Sequence, residues 1–98
     1  MPVMVRIPTP FQGHTGGRED VAASAGTIAG VLQELEARYP GLSGRIIDDG
    51  KIRGYLNIYL NEVDIRALQA EQTLVRDGDE VIIIPAIAGG AAGARRVS

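Results

Sequence analysis

The run Val81-Ile82-Ile83-Ile84-Pro85-Ala86-Ile87-Ala88-Gly89-Gly90 constrains this chain more than any other stretch. Val81 to Ile84 are all β-branched and follow the turn signal Asp77-Gly78-Asp79, the composition of a short central strand. Pro85 has no N–H and is expected to end the ladder there. Nothing from Ala86 to Gly90 is polar or aromatic, so this segment has little with which to anchor to its own core. Fully extended, those five residues reach roughly 17 Å beyond the domain. A bare tail of that length can enter a cleft in another protein.

The rest of the composition narrows the field. A chain of 98 residues has room for one small domain. Twelve acidic residues stand against ten basic ones, a formal charge of −2. That balance argues against a nucleic-acid or anionic-membrane partner, both of which need a basic surface. There is no cysteine, which excludes a disulfide framework and a thiol nucleophile. Any sulfur handled by such a chain must be attached to something other than a side-chain thiol. No apolar run approaches the roughly 20 residues of a membrane span, and the N-terminus has no signal-peptide pattern, so a cytoplasmic location is expected.

Taken in order, Val3, Val5 and Ile7 alternate with Met4 and Arg6 as a half-buried strand that ends at Pro8 and Pro10. Phe11 to Gly17 reads as a loop, and Arg18 to Ser24 as a returning strand. Ile28, Val31, Leu32, Leu35 and Tyr39 fall on one stripe, predicting a helix over Thr27 to Tyr39 with Thr27 as N-cap and Pro40-Gly41 as terminator. Asp48-Asp49-Gly50-Lys51 reads as an exposed loop. Leu56, Ile58 and Leu60 alternate with Tyr55, Asn57 and Tyr59, a strand with a decorated outer face. Leu74, in the connector that follows, is expected to plug the core. The pattern gives an α+β sheet with one helix across a face. If Val81 and Ile83 point inward, Ile82 and Ile84 face outward, as Tyr59 does, either as a partner-docking surface or as an ordinary sheet face with scattered apolar residues.

No catalytic constellation is visible. His14, the one histidine, lies among turn residues and is expected to play a structural role in its loop. Asp48-Asp49 and the group Asp77, Asp79 and Glu80 lack EF-hand spacing and read as solvated turn carboxylates, so no metal site is expected. Gly89-Gly90-Ala91-Ala92-Gly93 looks superficially like a phosphate-binding loop, but no helix or second strand follows it. The diglycine needs another reason, or is simply a flexible tail.

The ending Asp77-Gly78-Asp79-Glu80-Val81 through Pro85-Ala86-Ile87-Ala88-Gly89-Gly90 resembles that of the small sulfur carriers of the ubiquitin-like β-grasp superfamily, which serve molybdopterin, thiamine and cysteine biosynthesis. His14-Thr15-Gly16-Gly17 and Leu56-Asn57-Ile58-Tyr59-Leu60-Asn61 most resemble the cysteine-pathway carrier. The resemblance implies a β-grasp order, with a mixed sheet whose final strand lies parallel to the first. It also implies a carrier that is not itself an enzyme and binds no cofactor. The Gly90 carboxylate would be adenylated with ATP by an adenylating and sulfurtransferase enzyme, converted to a thiocarboxylate with a sulfur donor, and presented to an acceptor such as a cysteine synthase. Family members commonly end at the second glycine, whereas Ala91 to Ser98 follow here. A β-grasp domain over residues 1–90 and an extension over 91–98 are therefore expected, with cleavage between Gly90 and Ala91 by a zinc-dependent JAMM-type metallopeptidase. The rival readings are a molybdopterin or thiamine carrier, a ubiquitin-like modifier linking Gly90 to lysines, and an interaction module whose C-terminus is never activated.

Overall fold

The computed structural model describes residues 2–86. In chain order the elements are β1 (Val3–Arg6), a short helix α1 (Thr9–Gln12), β2 (Asp20–Ala23), β3 (Gly26–Thr27), the main helix α2 (Ile28–Arg38), β4 (Ile47–Asp48), β5 (Lys51–Ile52), β6 (Leu56–Leu60), β7 (Val63–Asp64), β8 (Leu74–Val75) and β9 (Glu80–Pro85). Five strands form one mixed sheet in the order β2-β1-β9-β6-β7. β9 runs parallel to β1 and antiparallel to β6, so the last strand is central. Two small pairs, β3-β8 and β4-β5, lie outside this sheet. The expected mixed sheet with one main helix across a face is borne out.

The core sits between α2 and the sheet. Ile28, Val31, Leu32 and Leu35 bury the helix stripe against Val3, Val5, Ile58, Val81 and Ile83, and Tyr39 packs half-buried at its end. Thr27 caps α2, its Oγ1 accepting the Gly30 N–H at 3.1 Å, a contact worth about 1 kcal/mol in helices generally. One turn from the C-terminus Arg38 pairs with Glu34 at 2.6 Å. Glu36 reaches across to accept the N–H groups of Ile46 and Ile47 at 3.0 and 2.9 Å, which ties the β4–β5 hairpin to the helix.

Four local expectations change. The segment expected to be loop from Phe11 begins inside α1, where Pro10 fits because the first turn of a helix needs no N–H from it. The returning strand is shorter than expected, Asp20–Ala23. Asp49-Gly50 is the turn of a two-residue hairpin, with φ of 53° and 75° at its two positions. An Asp-Gly pair suits such a turn, which requires positive φ at both residues. Leu74 is not a core plug: it is 66% exposed, and the neighbouring Val75, 3% exposed, fills the core instead. β8 pairs with β3 in the register Thr27 opposite Leu74, and adjacent strand residues face opposite ways, so only one of the two can point inward.

Candidate functional site at the root of the tail

The end of β9 gives the site its frame. β9 ends at Pro85 as expected, but not because an N–H is missing there: the next residue's N–H, that of Ala86, still donates to the Tyr55 carbonyl at 2.6 Å. Bonded and non-bonded positions alternate along an antiparallel pair. The Asn61 N–H bonds the Glu80 carbonyl at 2.7 Å at the other end, so Pro85, opposite Leu56, falls at a non-bonded position. On its other flank β9 pairs with β1 only from Glu80 to Ile82. Among the described residues no neighbouring strand wants the N–H that Pro85 lacks, and the proline is tolerated in a central strand. Ile87, Ala88, Gly89, Gly90 and Ala91, which carry the rest of the expected tail and its cleavage point, lie outside the described residues.

Beside this exit the three expected docking residues come together. Val81 and Ile83 are buried toward α2, which turns Ile82 and Ile84 to the other face. Tyr59 stands directly opposite Ile82, and Asn57 opposite Ile84. Ile84 is 41% exposed, while Tyr59 and Ile82 are half-buried. The result is a short apolar ridge with charge on both flanks. Arg6, in register with Ile82, lies 3.6 Å from Asp20 and 3.7 Å from Glu80. On the far side Asp64, opposite Tyr59, holds Arg66 at 2.7 Å. The Arg66 side-chain and backbone hydrogen bonds keep the Asp64 carboxyl below the usual carboxylate range. Apolar centre and charged rim are the layout of a protein-binding patch.

The concave surface nearby has a different character. A cleft of about 170 Å³ borders β6, and its charged lining residues include Arg53, Asp64, Arg66 and Glu71. Each is already engaged: Arg66 with Asp64, Arg53 Nε with the Gly44 carbonyl at 2.7 Å, and Glu71 with the Ile52 N–H at 3.0 Å. That backbone hydrogen bond is the main reason the Glu71 carboxyl is held below its ordinary range. Among the described residues no three His, Asp or Glu side chains are grouped to hold a metal ion, and no helix is long and apolar enough to cross a membrane. His14 packs on the Pro40-Gly41 turn so closely that a Cβ on Gly41 would sit 2.6 Å from its Nδ1, a structural contact.

Two contributors escaped the sequence reading. Thr15, 1% exposed, locks its loop by donating from Oγ1 to the Arg18 carbonyl at 2.9 Å; a threonine among glycines gives no burial signal. Tyr55, expected as an outward strand residue, lies in the turn before β6 and supplies the carbonyl that holds Ala86.

Comparison with known proteins agrees with this architecture. The ThiS family model matches residues 5–90. The sulfur carrier protein CysO of Mycobacterium tuberculosis is 45% identical over 93 residues, covering 92% of this chain and all of the relative. The crystal structure of the Amycolatopsis orientalis BexX/CysO complex contains a chain that superposes with a TM-score of 0.82 at 36% identity, over 90% of this chain and 99% of that one. Small archaeal modifier protein 3 of Haloferax volcanii is 41% identical over 64 residues, 65% of this chain and 70% of its own length. The family match, which runs to residue 90, and the 45% identity to a sulfur carrier, with β9 central in its sheet, place the chain in the ThiS family of ubiquitin-like β-grasp sulfur carriers.

Proposed function

We propose that this carrier transports sulfur as a thiocarboxylate at Gly90, for cysteine biosynthesis from an activated serine in the cytoplasm. A Gly90 carboxylate oxygen attacks the α-phosphorus of ATP on the adenylating enzyme, and pyrophosphate leaves. Sulfide from a sulfur donor then attacks the acyl carbon of the adenylate, and AMP leaves. The resulting sulfur anion is a protein-tethered nucleophile for the activated serine on an acceptor such as a cysteine synthase. Glycine suits this terminus because, without a Cβ, it can pass a narrow channel and leaves its carbonyl unhindered. While Ala91 is attached, the Gly90 carbonyl is an amide and cannot be adenylated, so residues 91–98 are a propeptide removed by a JAMM-type metallopeptidase. The observation that carries the reading is a diglycine four residues past a central strand, at the residue where the family match ends.

The test is direct. A chain ending at Gly90, given ATP, sulfide and extract of its native cells, should exchange one terminal oxygen for sulfur, and the intact chain should do so only after trimming. A Gly90-ended chain that stays unmodified while the intact one sustains cysteine formation would sink the proposal. The identity to Small archaeal modifier protein 3 favours a second reading, protein modification through Gly90; Gly90-linked isopeptides on other proteins would support it.

Docking of the adenylating enzyme is assigned to Tyr59, Ile82 and Ile84. Truncating a central apolar anchor of an interface commonly costs about 2 kcal/mol, or roughly thirtyfold. Tyr59→Ala or Ile84→Ala should therefore raise KM for the carrier by about 10- to 30-fold with kcat nearly unchanged. An unchanged KM in both variants would mean that this face is ordinary solvated sheet.

A further inference from the structure

We infer that Tyr55 is a positioning residue that sets where and in which direction the reactive tail leaves the domain; the inference rests on the carrier reading above. Two contacts converge on it. Its carbonyl accepts the Ala86 N–H at 2.6 Å, the last described backbone bond of the chain. Its phenol donates to the Arg45 carbonyl at 2.7 Å, and the residue is 46% exposed. The anchor is itself braced: Arg45 Nε donates to the Gly41 carbonyl at 2.9 Å, and Arg53 Nε to the Gly44 carbonyl at 2.7 Å. A turn residue with a free side chain would let its carbonyl swing. Here the ring ties the turn to the segment 41–45, so the carbonyl that holds Ala86 is fixed from both ends.

The consequence concerns binding. Residues beyond Ala86 must thread a partner's active site, and each residue they start out of place must be ordered on binding. A fixed root removes part of that cost before the encounter. Loss of the phenol hydroxyl should loosen Ala86 while the fold stays intact, because the core is made by residues such as Leu56, Ile58 and Ile83, and Tyr55 is exposed rather than part of it.

Tyr55→Phe keeps the ring and deletes only the bond to Arg45. Amide hydrogen exchange should quicken by about tenfold at Ala86 and stay unchanged at Val81 and Ile83. In pyrophosphate exchange with the adenylating enzyme purified from the native cell, KM for the Gly90-ended carrier should rise about fivefold with kcat preserved. Faster exchange spread evenly over β9 would mean a general structural role and overturn the inference. Unchanged exchange at Ala86 would also overturn it, whatever the kinetics, as would quickened exchange with an unchanged KM. Failure of the wild-type Gly90-ended chain to be adenylated would instead refute the carrier reading, leaving the exchange result to decide the role of Tyr55 at the exit.

Discussion

A chain ending at Ala88, or one ending at residue 90 with Gly90→Arg, should fold as the wild type does and carry no sulfur. In the proposed mechanism the first lacks the residue whose carboxylate is adenylated. The second retains a carboxylate but puts a long cationic side chain where a narrow channel must pass the backbone. Thiocarboxylate formation should fall by at least about 10³-fold, equivalent to roughly 4 kcal/mol of transition-state stabilisation. Folding should not change, since among the described residues the buried cluster runs from Val3 to Ile83. Far-UV circular dichroism and urea unfolding check the fold; thiocarboxylate mass and cysteine formation check the function. Full activity in either variant would favour the interaction module, whose binding face needs no activated terminus.

Leu32→Ala should be the most damaging simple substitution to stability. Leu32 is fully buried at the centre of the α2 stripe, and such truncations remove about 2–5 kcal/mol through lost burial and a residual cavity. A small domain has only about 5–15 kcal/mol in total. With a urea dependence of about 1–3 kcal/mol/M, the midpoint should drop by about 1–2 M. Leu74→Ala is the matched control: the residue is 66% exposed, so its loss should move stability by no more than about 0.5 kcal/mol. Equal losses in the two variants would mean that Leu74 belongs to the core after all.

That pair also marks what the sequence could and could not reveal. The α2 stripe was legible because four buried positions recur at helical spacing within a helix of eleven residues, capped by Thr27. β9 was legible because β-branched residues and a turn signal bound it. Leu74 was misread because β8 is two residues long, too short for alternation to say which side chain points inward. The Asp49-Gly50 hairpin was hidden for a similar reason, its strands being two residues each, although Asp-Gly was its signal. Pro85 closes β9 where expected, but the reason was not legible, because a proline's effect depends on whether its position is bonded in the ladder, which follows from register and not from residue type. At the candidate site, alternation showed that Tyr59, Ile82 and Ile84 face outward, while their adjacency followed from the strand order that the resemblance implied. Tyr55 could not: its part depends on a carbonyl, and every residue but proline offers the same backbone groups.

The most direct test of sulfur carriage is the intact mass of the protein drawn from its native cells, with the C-terminal peptide sequenced. The expected result is a chain ending at Gly90, a fraction of it heavier by the exchange of one oxygen for sulfur. A chain found always intact to Ser98, even when sulfur is limiting, would contradict both the processing and the thiocarboxylate.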